Sequence, residues 1–276
     1  MLGRILRKYG YRLRSIWTML AGFDRPLQTL AIFTGRASEG TSVLGVRGTP
    51  HRFEVRGAMD TWCVKEALLD RLYERFGFTI EPRWTVMDIG AGIGEFAIAA
   101  AGSATQGRVL AFEPFAPSFR LLERNVVLNR IVNIEVFNEA VTGQTRSLGL
   151  DVSSGEPAMF ESVDLITGEG NDRVPIVSAA LGDIVRRLGI DRLDLLKLDC
   201  EGAEYDILLN SPPDVIEQVQ RIVMEYHDQT TDHTHVDLEQ FLVGAGFEVE
   251  AFPNPVHPDQ IGYLRASRTH LGPANE

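Results

Sequence analysis

The residues best suited to chemistry in this chain are acids that close apolar runs. Asp88 sits near the end of Val86 to Ile89, directly ahead of Gly90, Gly92 and Gly94 in a G-x-G-x-G turn. Glycines between a strand and a helix let the backbone pass close to a ligand and aim N–H groups at it. Two cofactor classes use such a turn, and charge separates them. A dinucleotide presents a pyrophosphate, which wants an anion site free of carboxylates and a G-x-G-x-x-G spacing. Here the third glycine comes one residue early and Asp88 stands at the mouth of the strand. A carboxylate there repels pyrophosphate and suits the ammonium group of S-adenosylmethionine. A nicotinamide-dependent oxidoreductase is the weaker alternative.

Four more apolar runs end the same way. Val109 to Phe112 leads into Glu113-Pro114, where a carboxylate can accept both hydroxyls of an adenosine ribose. Asn138-Glu139 closes the third run and would flank the adenine. The fourth leads into Asp199-Cys200-Glu201-Gly202 and the fifth into His227-Asp228. Ligands of open α/β sheets bind outside the carboxyl ends of the strands, so Asp199, Glu201 and His227 are expected in one crevice with Asp88 and Glu113. Methyl transfer from a sulfonium requires an acceptor oxygen held in line and a group to collect its proton. His227, which ordinarily titrates near neutral pH, and Asp199 are the candidate bases, with Glu201 orienting the acceptor. A strand-end histidine can equally be a plain hydrogen-bonded residue. A divalent metal could draw on Asp199, Glu225, His227 and Asp228, yet their spacing matches no defined metal motif and none is expected. Asp228 to His235 reads as a solvated polar loop.

Such an arrangement needs strands alternating with amphipathic helices: a doubly wound, mostly parallel seven-stranded sheet. The strands predicted are Trp84–Ile89, Arg108–Glu113, Ile134–Asn138, Leu193–Asp199, Arg221–Tyr226, Phe247–Phe252 and Ile261–Ala266. Apolar stripes at helical spacing predict helices over Glu95–Ala101, Pro117–Leu128, Ala179–Leu188 and Val236–Ala245. Asp60 can open a helix that runs to Phe76, and Gly143–Pro175 reads as an inserted hairpin that shapes the substrate site. Ahead of this domain, taken as 58–276, lies an extension over 1–57 with hairpin-like runs at Ser42–Val46 and Arg52–Arg56.

Charge divides the chain in the same place. The formal net charge is −11, but residues 1–36 carry seven Lys/Arg against one acid, leaving 20 basic and 37 acidic residues in the remainder. That balance argues against a nucleic-acid partner. Leu2, Ile5, Leu6, Tyr9, Leu13, Ile16, Trp17 and Leu20 share one face of a helix whose other face carries Arg4, Arg7, Lys8, Arg12 and Arg14. A basic amphipathic helix either covers a core or a second copy of the chain, or meets an anionic membrane surface through residues 1–22. No apolar run reaches the roughly 18 residues of a membrane span. Two cysteines, Cys63 and Cys200, make no disulfide framework, and a cytoplasmic location, with or without membrane contact, is the expectation.

The motifs together resemble the FkbM-type methyltransferases. The resemblance rests on Asp88 to Gly94, Phe112-Glu113-Pro114, Asn125, Asn129, Asn138 to Val141 and, above all, Asp194 to Glu204, and it covers about residues 60–252. It implies an S-adenosylmethionine-dependent O-methyltransferase acting on a hydroxyl of a sugar, glycan or polyketide natural product. It also implies cofactor contacts from Asp88, Gly90, Gly92, Glu113 and Asn138, with Asp199 and Glu201 near the reacting centre. Gly92 and Cys200 stand where the family often has asparagine and valine. Substrate choice is where the resemblance says least.

Overall fold

The computed structural model describes residues 14–34, 36, 40–155, 161–164, 173–254 and 256–269. Leu2, Ile5, Leu6, Tyr9 and Leu13 lie outside the described residues, so only the end of the basic helix is seen. It forms α1 (residues 14–22), followed by α2 (Pro26–Phe33) and the antiparallel hairpin β1 (Ser42–Gly45) and β2 (Arg52–Val55). Met19 and Phe23 turn inward, and with Leu44, Phe53 and Val55 they share a core with Val64, Ile93, Ile98 and Leu121. The described part of the extension is thus packed onto the rest of the molecule. Ile16 and Trp17, expected on the apolar face, point outward instead, because Ser15 and Met19 fill the inward positions.

The helix expected from Asp60 to Phe76 is broken. α3 (Ala58–Val64) runs into a π turn at Lys65–Leu69, Arg71 takes a left-handed conformation (φ 52°), and a short α4 (Leu72–Arg75) follows. The wider turn lets the buried Lys65 reach Asp70 at 2.5 Å and donate to Ser15 Oγ at 3.1 Å, which ties α1 to this segment. A π turn interrupts α-helices at positions with a specific job.

The sheet follows in chain order. β3 (Thr85–Ile89), α5 (Glu95–Ser103), β4 (Arg108–Phe112), α6 (Ala116–Leu128) and β5 (Ile134–Phe137) make one half. β6 (Ala140–Thr142) then leads into the insertion, where β7 (Leu148–Asp151), β8 (Glu161–Asp164) and β9 (Arg173–Ile176) form a three-stranded sheet in place of the expected hairpin. β10 (Ser178–Ala180) returns parallel to β6, so the helix expected at Ala179 starts two residues later as α7 (Leu181–Arg187). The other half is β11 (Leu195–Leu198), α8 (Ala203–Leu209), α9 (Pro213–Gln218), β12 (Arg221–His227), α10 (His235–Gly244), β13 (Phe247–Pro253) and β14 (Ile261–Arg268).

The strand order is β13-β14-β12-β11-β3-β4-β5. Only β14 runs against its neighbours, inserted between β12 and β13. β3, β4 and β11 are almost wholly buried because helices cover both faces, which is why they read as continuous apolar runs. From β3 the chain steps outward to β4 and β5, then returns to the other side of β3 as β11. That reversal opens a crevice between the carboxyl ends of β3 and β11.

The asparagines of α6 hold the hairpin. Asn125 Oδ1 accepts the Glu54 N–H at 2.7 Å and its Nδ2 donates to Glu54 O and Ile93 O at 3.2 and 3.0 Å. Asn129 repeats the pattern on Arg52, accepting its N–H at 2.8 Å and donating to its carbonyl at 2.6 Å. An Asn side chain carries the same donor and acceptor as a peptide, so two of them on one helix face mimic a neighbouring strand.

Candidate functional site

A cavity of about 670 Å³ opens where β3, β4, β11 and β12 end, roofed by α3 and the π turn and bordered by Leu150 of the insertion and by Asn254 and His257. Its size suits a cofactor and part of an acceptor. Gly90, Gly92, Glu113, Pro114, Glu139, Asp199, Glu201 and His227 all line it, so most residues singled out from the sequence meet here. Asp88, Gly94 and Asn138 stand outside the wall and do other work.

Asp88 is fully buried, and its Oδ1 lies 2.8 Å from the Nζ of Lys197, the residue opposite it on β11. Lys197 also donates to the Gly90 carbonyl at 2.8 Å. The pair thus fixes the first glycine of the turn from behind, where an ammonium contact from Asp88 was expected. Burial pushes the Asp88 carboxyl up, and the charge of Lys197 opposes that shift. Lys197 is itself driven far up by Asp88 and Asp199, burial notwithstanding. Sequence reasoning left Lys197 without a role. A lysine inside a central apolar strand is signal enough, since a buried ammonium must have a partner.

The turn passes against β11. Gly90 has φ +76°, and a Cβ there would lie 1.8 Å from Asp199 O. Gly94 opens α5 at φ +93° and presses against Leu122, a packing role. Gly92 faces the cavity, and its N–H donates to Glu113 Oε2 at 2.8 Å while the Phe115 N–H donates to Oε1 at 2.9 Å. Those bonds aim the Glu113 carboxylate and leave lone pairs for a pair of hydroxyls. Burial pushes its carboxyl up to about 7 despite them. Asn138 props the same loop, donating to Glu113 O at 2.8 Å and Pro114 O at 3.0 Å. Glu139 reaches the wall while paired with Arg187 at 2.7 Å.

Glu95, the first residue of α5, was not anticipated. Its Oε2 is buried with no hydrogen-bond partner, it lines the cavity, and burial pushes the carboxyl up to about 8. An unpaired acceptor beside a glycine cradle fits the cationic end of S-adenosylmethionine better than Asp88 does. Arg56, clamped by Asp60 at 2.7 Å, lies on the same wall and suits a carboxylate.

At the opposite end stand Asp199, Glu201 and His227, with one ligand atom from each lying within 4.8 Å of the others. Glu201 adopts a left-handed conformation (φ 50°), a strain that surrounding structure must hold in place. Tyr73 donates to Asp199 Oδ2 at 2.5 Å. His227 is 6% exposed, and its backbone N–H and Nδ1 meet Glu204 Oε1 at 2.9 and 2.8 Å, while Nε2 lies 3.5 Å from Glu201 Oε2. Burial alone lowers the imidazole, but the bond to Glu204 and the charges of Glu204, Glu201 and Asp199 outweigh it and push it up to about 10. The ordinary titration near neutral pH expected of His227 therefore does not hold in the ligand-free cavity. Glu204, wholly buried on α8, is the third residue sequence reasoning passed over. Asp228 turns away to accept from Tyr205 and His235 and does not line the cavity.

Residues 88–249 match the family described as "Methyltransferase FkbM domain". The chain belongs to the S-adenosylmethionine-dependent methyltransferases of the FkbM family. Among relatives, the 31-O-demethyl-FK506 methyltransferase FkbM of Streptomyces tacrolimicus is 28% identical over 236 residues, covering 74% of this chain and 88% of that protein. The AMB antimetabolite synthetase AmbE of Pseudomonas aeruginosa is 30% identical over 226 residues, 67% of this chain but only 10% of the synthetase. Methyltransferase sdnD of Sordaria araneosa is 25% identical over 232 residues, 74% of this chain and 88% of that protein. Within this FkbM-family chain, no described helix is long and apolar enough to cross a membrane.

Proposed function

We propose that the chain is an O-methyltransferase that modifies a hydroxyl of a sugar, glycan or polyketide-type natural product. The observation that carries this reading is the division of one cavity into two ends. A glycine turn with Glu113 and Glu95 stands at one end, and His227, oriented by the buried Glu204, stands with Asp199 and Glu201 at the other. When bound, S-adenosylmethionine supplies the methyl group, its S–C bond breaking with the electron pair left on sulfur. Glu113 would hold the ribose hydroxyls, and Gly90 and Gly92 would let the backbone approach. The acceptor oxygen forms the new O–C bond and gives its proton to the Asp199 carboxylate, or to Nε2 of His227 once the imidazole, held protonated by Glu204 and Glu201, has released its own proton, with Glu201 positioning the hydroxyl. The name of the Streptomyces relative, which states an O-demethyl substrate, supports an oxygen acceptor.

Incubation with methyl-labelled S-adenosylmethionine and a panel of hydroxylated acceptors tests the reading. Label should reach an oxygen of at least one of them. Replacing His227 by Ala should lower the rate by roughly 10²–10⁴-fold, the worth of general-base catalysis, and change cofactor affinity little. Near-normal turnover in that variant together with its loss in Asp199→Asn would move the base to the carboxylate. Transfer of label to nitrogen or carbon alone would overturn the hydroxyl assignment.

A further inference from the structure

We propose that Asp199, Glu201 and His227 bind a divalent cation at the acceptor end of the cavity. The three side chains come from two adjacent strand ends, and one donor atom from each lies within 4.8 Å of the other two. Ligands in neighbouring positions around a cation at roughly 2.1 Å are separated by about 3.0–3.4 Å. The His227 Nε2 to Glu201 Oε2 separation of 3.5 Å is just beyond that spacing. Asp199 lies within 4.8 Å of both.

A second observation, independent of the cluster, concerns what lies behind the imidazole. The wholly buried Glu204 takes Nδ1 at 2.8 Å and the His227 backbone N–H at 2.9 Å with one oxygen, and holds the Gly202 N–H at 3.0 Å with the other. Metal-binding histidines characteristically give their second ring nitrogen to such a carboxylate, which fixes the tautomer and turns the remaining nitrogen on the ion. Here the remaining nitrogen, Nε2, faces Glu201. Tyr73 fixes Asp199 from outside the cluster, donating to Oδ2 at 2.5 Å. Glu201 itself holds a left-handed backbone conformation. His227 and Asp199 therefore have their orientation set from outside the cluster.

Charge points the same way. Glu66 and Glu225 also line this end, and Lys197, the buried ammonium nearest to it, is engaged by Asp88 at 2.8 Å and lies 4.0 Å from Asp199. Two carboxylates and an imidazole suit Mn²⁺ or Mg²⁺, with water or an acceptor hydroxyl completing the shell. With Nε2 on the ion His227 is a ligand and not the base, and the ion would make a bound hydroxyl more acidic and hold it in place. That role rests on the methyl-transfer reading; the binding itself does not.

Titration of the full-length protein with Mn²⁺ alone, followed by calorimetry and by electron paramagnetic resonance of the free ion, tests the site. One ion per chain is expected, with Glu201→Gln and His227→Ala each weakening binding at least tenfold. Glu113→Gln should weaken S-adenosylmethionine binding and leave Mn²⁺ binding unchanged. Glu201→Gln, on the cavity surface, serves where His227→Ala fails to fold, as judged by circular dichroism. No Mn²⁺ uptake by the folded wild-type protein, with or without S-adenosylmethionine, overturns the proposal, as does uptake that both substitutions leave intact. If Mn²⁺ binds as expected and S-adenosylmethionine does not, the metal site stands and the methyl-transfer reading falls.

Discussion

Two groups of buried acids lie within a few residues of each other in this molecule, and they differ in company. Behind the glycine turn, Asp88 has a full ammonium partner in Lys197 at 2.8 Å and no access to the cavity. On the cavity wall, Glu95 and Glu113 are pushed up to about 8 and 7, with burial the largest cause in each. An acid with a buried cation of its own belongs to the scaffold. One held in low dielectric without such a match favours an incoming cation or donor, because the ligand supplies what the fold withholds.

The sharpest way to break this contrast is to remove the scaffold's cation. Lys197→Met leaves the Asp88 charge buried and unmatched, which should destabilise the fold by about 3–5 kcal/mol, read from the urea midpoint. Adding Asp88→Leu to the same chain should restore most of that loss, since an apolar pair can replace a buried ion pair. A Lys197→Met chain of wild-type stability would show that the pair is not what secures the turn.

Removing an acid from the wall should act on binding and spare the fold. Glu113→Ala is expected to weaken S-adenosylmethionine by roughly 1–3 kcal/mol in calorimetry, the scale for a charged hydrogen-bond partner. NAD should not bind either protein; nicotinamide binding without adenosylmethionine binding would reverse the cofactor assignment.

The same residue makes binding depend on pH, and the sign follows from its raised value. Below about 7 the ligand-free Glu113 is protonated, so it must lose that proton to accept both ribose hydroxyls. The share of affinity due to Glu113 should fall as pH drops, by up to tenfold per unit, and level off above 7. Arg56 and Lys197 favour the ionised form, while Glu95 titrates in the same cavity at about 8. Glu113→Gln isolates its share: the slope between pH 5.5 and 7 should flatten. An unchanged slope would assign the dependence to Glu95.

The strands of the main sheet and the glycine turn were legible in the sequence because period and turn chemistry are local. The acids at strand ends were legible for the same reason. Which of them face the cavity was not, since that depends on which face of the sheet each side chain takes and on register across strands. Asp88 and Lys197 are 109 positions apart and meet only because β3 and β11 pair in register. Glu204 was quoted within the motif but reaches His227 only once α8 folds back along β12. The break at the π turn had no local signal at all, because apolar spacing continues through it.

The effect farthest from the cavity concerns the N-terminal extension, where the sequence admitted two readings of one basic helix. Met19 is 5% exposed and belongs to the core, whereas Trp17 is 72% exposed on the other side of the same helix. Deleting residues 1–22 would therefore open the core as well as remove any lipid contact, and could not separate the readings. Trp17→Ser leaves Ser15, Met19 and Phe23 where they pack. We propose that the exposed side, which Arg14 also shares with solvent, meets an anionic lipid surface. A large side chain that gains apolar burial there contributes about 1.5–3 kcal/mol, so the substitution should weaken sedimentation with phosphatidylglycerol vesicles roughly tenfold or more. Raising the salt concentration should weaken it further, since exposed charges are screened, and neutral phosphatidylcholine vesicles should retain little of either protein. Equal sedimentation of the two proteins, or none at all, would leave the helix as a cover for the hairpin and the core beneath it.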